Sequence, residues 1–327
     1  MTVRVGVVGT GYAAKARLRS FGEDPRSRVI SVAGSNRVRA AELAENYSIA
    51  AADSWEALVA DTSIDLIVVC TVSNLHGDVV AAALQSDKHV VVEYPLALNF
   101  QVAAALVKLA KTRHQLLHVE HIELLGGLHL AMRSHLSSIG DPFYINYRTL
   151  NPQHPAPKKW TYQLTQFGFP FCGALSRVNR LTNLFGRVKA VECITRMVED
   201  LENDDYFTSI LSSGRLRFES GAIAELTYGK GDQVWIKRRD VEVQGTLGAM
   251  TFVGNEGTLI TAAGKVPVAV APRKGLFLKD TQRVLDYLTD GKPLYTCAEE
   301  SLYALRVAEA LRRASESGDT IFLDDVA

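Results

Sequence analysis

The 327 residues predict an α/β domain followed by an α+β domain with a mainly antiparallel sheet. Three observations point there. A β-branched run near the N-terminus turns on two glycines into a helical pattern. Short apolar runs then alternate with helical spacing as far as residue 121. From residue 143 onward the apolar residues alternate with period two instead.

The stretch at residues 3–19 is the anchor. Val3, Val5, Val7 and Val8 read as a buried parallel strand, Gly9-Thr10-Gly11 as a tight turn, and Tyr12-Ala13-Ala14 as the start of a helix that includes Leu18. Gly9 permits the turn, and Gly11 lets a pyrophosphate approach the backbone. Ala14 lets helix and strand pack closely. The free N–H groups and the positive end of the helix dipole then face phosphate, worth about 0.3–1 kcal/mol for the dipole alone. A glycine-rich turn of no function is the competing reading. The strand-before, helix-after context favours an N-terminal Rossmann dinucleotide-binding domain, with Gly9, Gly11, Tyr12 and Ala13 around the cofactor.

Residues 29–34 form the second strand, whose end should meet the adenosine ribose. Gly34 leads into Ser35, Asn36 and Arg37, with Arg39 close behind. No carboxylate stands there to accept from a ribose 2′-hydroxyl. A hydroxyl, an amide and a guanidinium suit a 2′-phosphate, so NADPH/NADP+ is expected over NADH. Helical spacing follows at 40–47 and 55–59. The buried run 64–70 is the next strand, and its C-terminal loop places Thr71, Val72 and Asn74 at the cofactor, with His76 orienting the loop. After a helix at 78–84, strand 89–93 ends in Glu93 and Tyr94, expected near the nicotinamide. Pro95 forces a corner there. Asn99 caps a helix at 100–111, and 116–120 is the last strand of this half. The first domain is thus 1–121 and the second 122–327.

In the second half, strands are expected at 143–148, 188–195, 208–218, 222–228, 240–244 and 248–253. A polar, proline-bearing loop spans 151–159, and one helix spans 172–185. Amphipathic helices at 277–288 and 299–314 should pack on the first domain or on the sheet. A cleft is expected between the domains, with the nicotinamide reaching in and the substrate on the sheet face.

Apolar residues make up 47% and charged residues 22%, with 36 of each sign. That balance offers no basic field for nucleic acid. No leader peptide or membrane-length apolar run is visible. Cys70, Cys172, Cys193 and Cys297 are far apart and lack metal-ligand spacing. They read as buried small hydrophobes in a reducing cytoplasm, and no metal site is expected.

The succession Gly9-Thr10-Gly11-Tyr12, then residues 71–76, then Glu93-Tyr94-Pro95 resembles the glucose–fructose oxidoreductase and inositol dehydrogenase superfamily. That superfamily usually has Glu-Lys-Pro at the last motif, its lysine assisting proton transfer from a sugar hydroxyl. Tyr94 stands in the lysine's place, which argues against sugar oxidation. A narrower resemblance runs over nearly the whole chain. Residues 93–98, 118–125, 167–170, 175–177, 184–186 and 276–280 are similar to the biliverdin reductase family, most closely its cyanobacterial type. The resemblance implies NAD(P)H-dependent reduction of biliverdin to bilirubin, a step of haem degradation, by hydride addition at the C10 methine bridge. It also implies Arg177 as the group that stabilises or helps protonate the pyrrole nitrogen.

Glu120 and Glu123 either polarise a water or hold Arg177, or serve as a salt bridge or helix cap. Tyr94 either donates to a bilin carbonyl or is a packed corner aromatic. His121 reads as a structural histidine. Arg148, Lys158, Lys159, Lys230 and Arg238 are propionate partners in principle, although solvated surface is the simpler reading for each. A sugar or cyclitol dehydrogenase and a non-catalytic NADP- or bilin-binding sensor stand as alternatives.

Overall fold

Val5, Val7 and Val8 of β1 (Val3–Val8) are buried because helices cover both faces of the sheet that β1 centres. The computed structural model describes residues 2–203 and 205–325, and the chain forms two units. The first runs to Ile122 and includes Gly275–Leu302. Its other strands are β2 (Ser27–Ala33), β3 (Ala50–Ala51), β4 (Leu66–Val69), β5 (His89–Val92) and β6 (Leu117–Val119). All pair in parallel, in the order β3-β2-β1-β4-β5-β6. The order reverses direction between β1 and β4, and ligands bind beyond the strand ends at such a switch point. Between the strands lie α1 (Tyr12–Gly22), α2 (Arg37–Tyr47), α3 (Trp55–Ala60), α4 (His76–Gln85) and α5 (Phe100–Arg113).

The helix at Leu276–Asp290 stands with this first unit, packed on α1. Val284 and Leu285 share one apolar cluster with Val5, Leu18 and Phe21. A boundary at 121 leaves that helix in the second domain. Its apolar face is completed by the first.

The second unit comprises Glu123–Lys274 and the chain from Tyr303. Its strands are β7 (Pro142–Pro152), β8 (Val188–Glu199), β9 (Phe207–Phe218), β10 (Ile223–Gly231), β11 (Arg238–Gly245), β12 (Gly248–Val253), β13 (Glu256–Thr261), β14 (Gly264–Ala269) and β15 (Ile321–Phe322). They form one sheet in the order β14-β13-β12-β11-β7-β10-β9-β8-β15. Neighbours are antiparallel except β7 and β10, which pair in parallel from Tyr144 beside Ile223 onward. Its helices are α6 (Gly127–His135), α7 (Leu164–Phe167), α8 (Pro170–Gly173) and α9 (Ser176–Phe185); the Leu276–Asp290 helix of the first unit is α10, and α11 (Ala298–Ser317) is divided between the two units after Leu302. Among the described residues, no helix is long and apolar enough to cross a membrane.

Three local expectations need correction. The helix expected over 172–185 is two helices, α8 and α9, because the backbone leaves helical geometry at Ala174 (φ −109°, ψ 33°), and the Phe167 ring lies against Gly173 just before it. A Cβ on Gly173 would sit 2.5 Å from that ring. β13 and β14 were not expected. Pro267 in β14 argues against a strand, but an edge position tolerates its missing N–H. Cys297 is exposed rather than buried, since residues 291–297 cross the surface without regular structure. The other three cysteines are buried.

Candidate active site

In the first unit, β1 ends at Gly9, whose φ of +131° belongs to glycine. A side chain there would meet the Cys70 carbonyl oxygen at 2.3 Å, so the ends of β1 and β4 close together only over a bare Cα. Gly11 is the N-cap of α1 and offers no side-chain cap, and no acidic residue lies in the first turn. A Cβ on Gly11 would meet nothing within 4 Å. The helix therefore presents unpaired N–H groups and its positive end to open space, which is what a pyrophosphate requires. Tyr12 is 82% exposed beside it, Ala13 is half-buried, and Ala14 is fully buried against the sheet.

Ser35, Asn36 and Arg37 are exposed just after β2. The Asn36 side chain caps α2 by accepting from the Arg39 N–H at 3.0 Å. Thr71 and Val72 are half-buried and Asn74 is exposed in the loop after β4. His76 is buried with ring nitrogens 2.7 Å from the Pro95 carbonyl and 3.2 Å from the Thr71 carbonyl. It lies between the loop after β4 and the corner after β5, and as a neutral ring donates to one of the two carbonyls. Burial pushes its pKa down, so the neutral ring is favoured.

Glu93 and Tyr94 follow β5. Tyr94 stacks on the His121 ring with centroids 5.5 Å apart, and the Tyr94–Pro95 peptide is cis. His121 is fully buried with Nε2 at 2.8 Å from Ser301 Oγ. Burial and then His118 push it down to about 3, so it does not titrate near neutrality.

Glu93 pairs at 3.1 Å with Arg17, a residue the sequence reading passed over. Arg17 and Asp280 are both fully buried and form an ion pair. Asp280 also accepts from His118 Nε2 at 2.8 Å and from the Tyr295 hydroxyl at 2.6 Å. Burial alone would raise the Asp280 carboxyl, but the charge of Arg17 outweighs it and holds the group far below the ordinary range. Glu120 is buried close by and accepts from the Ile122 N–H at 2.5 Å. Burial, then the charge of Glu93, push its carboxyl well above the ordinary range.

In the second unit, Ala224, Leu226, Tyr228 and Lys230 of β10 alternate onto one buried face. Helix α9 packs its first turns there. The Arg177 guanidinium lies over the Tyr228 ring at 5.1 Å, with Nη1 3.2 Å from Ser176 Oγ. Arg180 donates to the Tyr147 hydroxyl at 2.5 Å and pairs with Glu123 at 3.0 Å. Glu123 also pairs with Arg273, and Arg239 stands 3.8 Å away. The carboxylate expected to hold Arg177 is thus engaged by three other arginines. Burial would raise it, but Arg180, Arg273, Arg239 and Arg177 together hold it low. Arg239 is pushed down by burial and by its neighbouring guanidiniums.

The residues considered as propionate partners divide. Arg148 pairs with Asp240 at 2.7 Å, and Lys158 lies 3.6 Å from Asp200 and from Glu202. Lys159 and Arg238 are exposed. Lys230 is only 5% exposed, so the solvated-surface reading does not hold for it.

The family model described as oxidoreductase family, NAD-binding Rossmann fold, matches residues 3–121, and its C-terminal alpha/beta domain matches 135–323. A crystal structure of biliverdin reductase from Synechocystis sp. PCC 6803, in complex with biliverdin and NADP+, superposes with a TM-score of 0.94 at 46% identity. The match covers 96% of this chain and 99% of that one. Human biliverdin reductase A is 25% identical over 94% of this chain and 95% of its own length. The NADP(+)-dependent scyllo-inositol 2-dehydrogenase of Bacillus subtilis (strain 168) is 23% identical over 99% and 96%. The chain therefore belongs to the oxidoreductase family of glucose–fructose oxidoreductase and inositol dehydrogenase, and within it to the biliverdin reductases of the cyanobacterial type.

Proposed function

We propose that the protein reduces biliverdin to bilirubin with NADPH, and that Arg177 supplies the charge the reaction needs. The observation that carries this reading is the set Arg177, Arg180, Arg239 and Arg273 about the single carboxylate of Glu123, beside the rings of Tyr147 and Tyr228. Excess cation on an aromatic sheet face suits a flat, apolar tetrapyrrole that carries two propionates. The likeness to the Synechocystis enzyme, whose structure contains biliverdin and NADP+, supports the same substrate and cofactor.

Bound NADPH supplies a hydride, which forms a C–H bond at the C10 methine bridge and leaves NADP+. The chain's own residues do the rest. Gly9, Gly11, Tyr12 and Ala13 receive the pyrophosphate, Ser35, Asn36 and Arg37 the 2′-phosphate, and Thr71, Val72 and Asn74 flank the nicotinamide half, with His76, Glu93 and Tyr94 shaping that end. Electron density displaced from C10 collects on a pyrrole nitrogen. Arg177 stands as the cation that stabilises it, and a water relays the proton, because a guanidinium is a poor acid. Glu120, its carboxyl held up by burial and then by Glu93, and Glu123, its carboxyl held down by the arginines about it, act on this scheme through the charges around them. Four free thiols suit a cytoplasmic setting.

Mixing the protein with NADPH and biliverdin should replace the red-absorbing band with the blue-absorbing band of bilirubin. Biliverdin dimethyl ester should require a higher concentration for the same rate. No conversion from acidic to neutral pH, or NADP+ reduction by a polyol instead, overturns the reading. Arg37→Glu should weaken NADPH binding at least about tenfold, roughly 1.4 kcal/mol, while sparing NADH. An unchanged NADPH-to-NADH ratio in a binding titration would remove the 2′-phosphate role of Arg37.

A further inference from the structure

Lys230 sits where no lysine is expected. Its ammonium lies 3.7 Å from the centroid of the Phe167 ring, 4.6 Å from that of Tyr162 and 5.2 Å from that of Phe207. It donates to the backbone carbonyl of Thr161. Tyr162, Phe207 and Ile210 otherwise make a purely apolar cluster. An ammonium enclosed by ring faces is held there by attraction to their π-electrons.

The box is connected to the candidate catalytic helix. Phe167, which faces the ammonium, presses its ring on Gly173, four residues before Arg177. Arg177 rests on Tyr228, which is two residues before Lys230 on the same face of β10. One strand therefore meets Arg177 twice, directly through Tyr228 and indirectly through Lys230, Phe167 and Gly173. We infer that Lys230 is a positioning residue: its charged ammonium clamps residues 160–173 onto the sheet and so fixes where Arg177 lies. This inference rests on the proposed role of Arg177.

The groups facing Lys230 are Tyr162 before α7, Tyr228 on its own strand and Arg177 on α9. Burial pushes both tyrosines up, and a guanidinium stays protonated. Lys230 is pushed down to about 7 by burial and then by Arg177, so it changes charge near neutrality. Loss of its proton removes the attraction to the rings and the charge on the Thr161 hydrogen bond.

Turnover in the wild type should fall on the basic side with an apparent pKa of about 7. Lys230→Met should lower turnover roughly tenfold on the acid side and flatten the profile between about pH 6 and about pH 8, with NADPH affinity unchanged. Lys230→Arg keeps the charge and should move the basic limb out of the neutral range. Trp160 reports the clamp independently of turnover, since it adjoins Thr161 and lies 6.2 Å from Phe167. Its fluorescence should shift over the same pH range in the wild type and in neither variant. The inference is overturned if either variant keeps the wild-type limb, or if the wild type shows neither a limb nor a fluorescence shift near neutrality. Absent turnover with an intact fluorescence shift would instead sink the reduction chemistry and leave the clamp standing.

Discussion

Asp280→Asn is expected to destabilise the protein by about 3 kcal/mol, a fall in Tm of roughly 6–12 °C for a unit of this size. The substitution keeps the shape and deletes the charge. Arg17 is then fully buried, with Glu93 at 3.1 Å as its remaining ion-pair partner among the described residues. The penalty is that of a charge stranded in low dielectric, which exceeds the net worth of the pair itself. Acid should act in the same direction. The folded-state pKa of Asp280 is depressed, so its contribution is complete above the ordinary carboxylate range and is lost as pH falls through and below it. Thermal scans of wild type and Asp280→Asn should therefore converge on acidification. A variant that melts with the wild type at neutral pH would show that Arg17 does not depend on Asp280.

Arg177→Ala should cut turnover at least about tenfold, which is about 1.4 kcal/mol of barrier, and leave NADPH binding intact. The side chain stacks on Tyr228 and adds its charge to the field around Glu123. On the proposed mechanism its removal takes cation from beside the atom that becomes electron-rich, while the other three arginines about Glu123 stay. Arg177→Lys restores charge but not the planar fork, so an intermediate rate is expected. Steady-state kinetics beside a cofactor titration separate the two effects. Equal turnover in wild type and alanine variant would end the role assigned to this guanidinium.

The fold's first unit was readable because its signals are local. A β-branched run, two glycines and a small third residue specify β1, its turn and α1 within a dozen positions. The parallel β7–β10 pair was not readable, since period-two alternation fixes a strand's faces but not its neighbour. The buried charges leave a trace in the helical spacing. Ala14, Arg17, Leu18 and Phe21 share one helical face at spacings of three and four, and Leu276, Asp280 and Val284 do likewise. A charge on an apolar stripe announces a buried partner, but not which one. Lys230 falls in step with Ala224, Leu226 and Tyr228, so alternation already pointed it inward. Lysine's usual preference for solvent argued the other way, and three rings brought together from distant segments decided the matter.

The pairing of Arg17 with Asp280 spans most of the chain, and Val284 and Leu285 complete the core around Leu18 and Phe21. During synthesis, the half of the chain that bears Arg17 thus has Glu93 but not yet the fully buried partner of its guanidinium, and an open apolar seam. Both are completed only when the stretch bearing Asp280 has left the ribosome, so the nucleotide-binding half matures late although it is translated before that stretch.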